Sequence, residues 1–128
     1  MALYSIGGEG RTREITHMPH ADEFGFWCSR LSSDQLEAIR QELRRMIDGD
    51  EIHTAGWMPG NRWSGTVWDP IFTVACRGDR EASGLCFGLF VWEAVQKHPE
   101  AWSFGRYEKD GVEIRSLTYF RINDPASV

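Results

Sequence analysis

The chain has 128 residues, of which 41% are hydrophobic and 26% charged, and its 14 Lys and Arg against 19 Asp and Glu give a formal charge of -5. This size supports one core and a single domain over 1–128, and the composition excludes the low-hydrophobicity, high-charge profile of a disordered chain. The acidic balance repels polyphosphate, so nucleic acid is not the expected partner.

The dense basic cluster Arg40, Arg44 and Arg45 is interleaved with Glu37, Glu42 and Asp48 at helical spacing and reads as a solvated, salt-bridging face. Cys28, Cys76 and Cys86 are odd in number and include no Cys-x-x-Cys pair, which indicates neither a disulfide framework nor a thiolate zinc site. The first twenty residues hold no apolar stretch of signal-peptide length, and the longest apolar run, Leu85 to Trp92, is too short to span a bilayer. The expectation is a cytoplasmic protein with no membrane segment.

In chain order, Ala2 to Ile6 and Arg11 to Thr16 flank the glycine-rich turn 7–10 and predict a β-hairpin. Pro19 closes its second arm. His20 to Arg30 reads as a loop or irregular strand that lays Phe24, Phe26 and Trp27 on the core. Ser32 and Gln35 then form a capping box for a helix whose stripe is Leu36, Ile39, Leu43, Met46 and Ile47, with Gly49 at its end.

From Glu51 to Gly65 the periodicity vanishes, and a structured loop rich in glycine and tryptophan is expected. A β stretch from Thr66 to Cys76 follows, interrupted at Asp69 and Pro70 as an edge strand or bulge would be. Asp79 caps a second helix running to about Lys97, with apolar residues in every direction around its axis. Its Gly84-x-x-x-Gly88 spacing predicts a close backbone approach.

Trp102 to Tyr107 and Val112 to Ile122 alternate around Asp110-Gly111, a hairpin signal. Val112, Ile114, Phe120 and Ile122 share one parity and Leu117 and Tyr119 the other, which suits a central strand, while 123–128 reads as a frayed tail. The fold class is therefore α+β in the order β-β-α-β-α-β-β, an antiparallel or mixed sheet on two helices, the second of them (about 79–97) central and buried.

Trp57, Trp63 and Trp68 fall within twelve residues of one another, among glycines and polar groups. Flat indole faces at such density suit a stacked ligand, with Arg62, Asp69 and His53 placed to orient it. The competing explanation is that the rings close one end of the core under a long loop.

His17-x-x-His20 with Asp22, Glu23 and His53 offers metal donors, but without the spacing of a structural zinc site, and solvated turn histidines explain them equally; no metal is assigned. Pairing of His53 with Cys76, or of Glu51 with Asp69, is the minimum an enzyme would need; no local catalytic signature accompanies either, and no catalytic residue or cofactor is assigned. The expected function is a non-catalytic small-molecule-binding or regulatory domain with a pocket at Trp57, Trp63, Trp68, Arg62, Asp69 and His53. The alternative is a protein-interaction or oligomeric adaptor whose aromatic loop meets a partner. The all-apolar helix and the glycine pair further predict a homodimer.

Overall fold

The N-terminal hairpin is present as β1 (Tyr4–Ile6) and β2 (Thr12–Glu14), antiparallel with Tyr4 opposite Glu14. The structure, a computed structural model, describes residues 3–6, 12–113 and 116–122, so the hairpin's glycine turn, Ile114 and the expected tail 123–128 lie outside the described residues.

Where a loop or irregular strand was expected after Pro19, the chain forms α1 (Ala21–Ser29). His20 takes a left-handed φ of 53° and its carbonyl receives the Phe24 N–H at 3.0 Å, while Asp22 and Glu23 set negative charge at the helix start. Phe24 and Trp27, one turn apart, are buried. Phe26 departs from the expectation. It sits on the opposite side, 57% exposed, with the Arg30 guanidinium 4.3 Å above its ring.

α2 (Ser33–Gly49) starts at the expected capping box: the Gln35 N–H donates to Ser32 Oγ at 3.1 Å and the Ser32 N–H to Gln35 Oε1 at 2.9 Å. Ile39, Leu43 and Ile47 of its stripe are fully buried. Each contributes roughly 1.5 to 3 kcal/mol of transfer free energy.

The segment between the long helices differs most from the sequence reading. The intervening strand is β3 (Ile52–Thr54), inside the region expected to be irregular, and a single 3-10 turn (Ala55–Trp57) ends it. The stretch Thr66–Cys76 is not a strand. It folds into turns and then a π-helical turn (Ile71–Ala75) entered through Pro70 at φ -60°. A proline there forfeits no bond, because the first N–H groups of any helix lack internal partners. The β-branched residues yield to burial of Ile71 and Ala75, the Thr73 hydroxyl donates to the Asp69 carbonyl at 3.0 Å, and the Arg30 guanidinium donates to the Ala75 carbonyl at 2.7 Å.

α3 (Arg80–Gln96) lies within one residue of its expected limits, capped by the Asp79 carboxylate accepting the Ala82 N–H at 3.1 Å. Cys86, Phe87, Leu89, Phe90, Val91, Trp92 and Val95 are buried, and Phe90 meets Phe24 edge-on at 4.8 Å. Burial is not all round, however. Glu81, Gly84 and Leu85 form an exposed strip, and a Cβ added at Gly84 or Gly88 would meet nothing within 4 Å. The close backbone approach expected at the glycine pair is therefore absent among the described residues.

β4 (Trp102–Gly105) and β7 (Thr118–Arg121) pair antiparallel with Trp102 opposite Arg121, and β3 adds to the other side of β7, giving the order β3-β7-β4. The terminal segment thus supplies the central strand that its two-sided pattern predicts. Between them, β5 (Glu108–Lys109) and β6 (Val112–Glu113) form a small hairpin whose Asp110 and Gly111 take φ 54° and 78°, as a type I′ turn requires. Trp102 and Tyr119 face the helices and are buried, while Ile52 and Phe120 occupy the other face. The mixture of helices and antiparallel sheets is α+β, as the sequence indicates, and among the described residues no helix is long and apolar enough to cross a membrane.

Candidate functional site

The two edges of the three-stranded sheet are treated differently. Alongside β4, Leu3 bridges Trp102 in parallel and the Ser103 hydroxyl donates to the Tyr4 carbonyl at 2.8 Å, so the N-terminal hairpin covers that edge. Among the described residues β3 is bonded on one side only, to β7. Beyond its ends the ladder continues, from the Arg121 N–H to the Glu51 carbonyl at 2.9 Å and from the Ala55 N–H to the Leu117 carbonyl at 3.0 Å. In an antiparallel strand alternate residues turn both backbone groups to the same neighbour. Residues 51, 53 and 55 therefore face β7, and Ile52 and Thr54 face away. Thr54 is buried, but Ile52 is 67% exposed and presents its N–H and C=O to the open edge.

That edge forms one wall of an open groove of about 380 Å³ whose other walls come from the end of α2 and the 3-10 turn, with Arg45, Met46, Gly49, Trp57 and Met58 among its lining residues. Trp57 is 58% exposed. On the outer face of the sheet Ile52 also borders a second open depression with Tyr107 and Phe120, whose rings meet edge-on at 6.3 Å. An exposed β-branched residue on a bare strand edge, flanked by methionines and an indole, is suited to receiving another extended chain.

The sequence-predicted site residues separate into groups. His53 and Trp57 share the groove. Trp63 and Trp68 instead pack on Phe87 of α3, at ring distances of 5.8 and 5.1 Å, and Trp68 is only 5% exposed. Arg62 is exposed in the loop between Gly60 and Gly65, both at positive φ, and half-buried Asp69 offers its backbone carbonyl to Thr73.

His53 is a positioning residue. Its Nε2 lies 3.2 Å from the carbonyl oxygens of both Ile47 and Asp50. Both partners are acceptors, so Nε2 carries the ring hydrogen and satisfies carbonyls that the end of α2 leaves unpaired. The ring also lies 5.8 Å from Trp102. The imidazole thereby fixes the width of the groove by tying β3 to the helix. It is engaged with carbonyls and not with Cys76.

Other polar groups are similarly engaged. His98, 6% exposed, receives the Glu100 N–H at 3.0 Å and the Trp102 indole N–H at 3.3 Å on Nδ1, which places its hydrogen on Nε2, 2.7 Å from the Asp48 carboxylate. This Asp–His pair resembles a catalytic dyad in composition only, because the nitrogen that a base would use already accepts two N–H groups. Burial pushes the Cys28 thiol up to about 11 and moves Cys76, Cys86 and the Tyr119 phenol in the same direction. Such thiols are poor nucleophiles. His17 and His20 are exposed, with His20 Nδ1 3.1 Å from Glu23, and among the described residues no three His, Cys, Asp or Glu side chains are grouped to hold a metal ion.

The residues missed from sequence are Ile52, Met46 and Met58. Two β-branched residues in Ile52-His53-Thr54, between Asp50 and Gly56, were the available strand signal. Compared with models of known protein families, with curated proteins and with solved structures, the chain matches none.

Proposed function

We propose that this chain is a non-catalytic interaction module that takes an extended segment of a partner protein along the open edge of β3, between α2 and Trp57. The observation that carries the reading is the outward-facing backbone of Ile52 in a groove flanked by Met46, Trp57 and Met58. Main-chain hydrogen bonds supply affinity in such strand addition, and the side chains around the edge supply selectivity.

A second reading, a flat small molecule stacked on Trp57, is favoured by the presence of Trp57 and His53 in the same groove. The two differ in what they require of the Ile52 N–H. Selection of binders from a random peptide library by the full chain provides ligands for both tests. Ile52→Thr keeps the N–H and retains peptide binding. Ile52→Pro removes that N–H without touching the β7 ladder and abolishes binding, with the fold preserved by circular dichroism. Loss of binding in Trp57→Ala but not in Ile52→Pro contradicts strand addition and supports the stacked ligand. A self-associating protein from which no peptide is selected points to a second copy at the edge.

A further inference from the structure

We infer that the segment taken by the β3 edge is a short run of apolar, strand-forming residues flanked by Lys or Arg; this rests on the strand-addition reading above. The approach to β3 is acidic. Asp50 and Glu51 are exposed and form no ion pair among the described residues. Across the ladder from Glu51 stands Arg121, whose guanidinium Nε lies 2.9 Å from Glu100, within ion-pair distance though not aligned as a hydrogen bond. Arg121 is thus engaged by Glu100, and Asp50 in the groove and Glu51 beside Ile52 in the adjoining depression remain as two unpaired negative charges along the approach to β3. On the helix side Arg45 is paired with Glu42 and offsets nothing further.

Side chains of an added strand alternate between the two faces of the sheet. On the outer face they meet Ile52 and, beyond it, Phe120 and Tyr107; on the helix face they meet Met46 and Met58. Both rows find apolar neighbours, so consecutive residues of the segment are apolar, and its charges fall outside the run, near Asp50 and Glu51. A second copy of this chain is a poor occupant, since it brings the same carboxylates to the same edge and carries the same net charge of -5.

The test uses the full chain and three fluorescent peptides in polarisation titrations. One has the core Val-Ile-Val-Thr between lysine pairs, one the same core between glutamate pairs, and one the lysine peptide with alternate backbone nitrogens methylated. The lysine peptide is expected to bind at least about tenfold more tightly than the glutamate peptide, with the difference shrinking in high salt and in the double variant Asp50→Asn, Glu51→Gln. Equal or tighter binding of the glutamate peptide overturns the charge preference while leaving strand addition standing. Failure of both unmethylated peptides, or undiminished binding of the methylated one, overturns strand addition itself and the inference with it.

Discussion

Nε2 of His98 lies 2.7 Å from the Asp48 carboxylate, joining the second residue after α3 to the last turn of α2. The buried imidazole is simultaneously the acceptor for Glu100 and Trp102, so one side chain ties both long helices to the start of β4. His98→Ala leaves an indole N–H and a backbone N–H unsatisfied and is expected to destabilise by about 2 to 4 kcal/mol in urea unfolding. Asp48→Asn keeps an acceptor oxygen at an exposed position and should cost under about 1.5 kcal/mol. Equal losses in the two variants contradict this division of roles.

The tryptophans of the middle segment should also divide. Trp68→Ala opens a cavity against Phe87 and is expected to cost about 3 to 5 kcal/mol, whereas Trp57→Ala should change stability by less than about 1 kcal/mol. Thermal and urea unfolding of the two variants measures the contrast. A large loss in Trp57→Ala would mean that this ring closes the core and is not a contact surface.

How much of this was legible from sequence follows from the range of the interaction involved. The capping box at Ser32, the Asp79 cap of α3 and the Asp110-Gly111 turn are local chemistry, and each formed where its residues stand. β3 was missed because three residues are too few to display an alternation, and its existence depends on β7, more than sixty residues later in the chain. The π-helical turn defeated the strand propensity of Ile71, Thr73 and Val74 because burial of Ile71 and Ala75 outweighed it. α1 was missed because Pro19 and three aromatics suggested extended chain, while its start depends on the left-handed His20. At the candidate groove, Trp57 and His53 were among the residues singled out from sequence. The clamping role of His53 was not, since it acts on backbone carbonyls that no side-chain pattern reveals.

Because Gly84 and Gly88 lie in a helix with open space where a Cβ would stand, replacing each with alanine should stabilise the fold by about 0.5 to 1 kcal/mol. The check is unfolding at several protein concentrations. Destabilisation that grows with concentration would instead place a second copy against this strip of α3.

The cysteines should resist alkylation in the native protein. With the Cys28 thiol raised to about 11, its thiolate fraction at pH 8 is about one in a thousand. Mass spectrometry after iodoacetamide treatment should find all three thiols unmodified until the chain is unfolded. The folded state also holds the Cys28 proton more tightly than the unfolded chain does. Its contribution to stability is therefore full below the ordinary thiol value of 9.0 and lost as pH rises from there through about 11. Rapid alkylation of Cys28 at pH 8 contradicts the burial assigned to it.

The central claim, an uncovered edge on β3, is tested most directly by residue-resolved amide hydrogen exchange in the free protein. The Ala55 N–H is bonded to Leu117 and His53 faces β7, while the Ile52 N–H faces the groove. The account predicts that Ile52 exchanges at least about tenfold faster than His53 and Ala55, and that an added binding peptide slows Ile52 alone among the three. Protection of Ile52 equal to that of its neighbours in the free protein would show that the edge is already covered, and the account would be wrong.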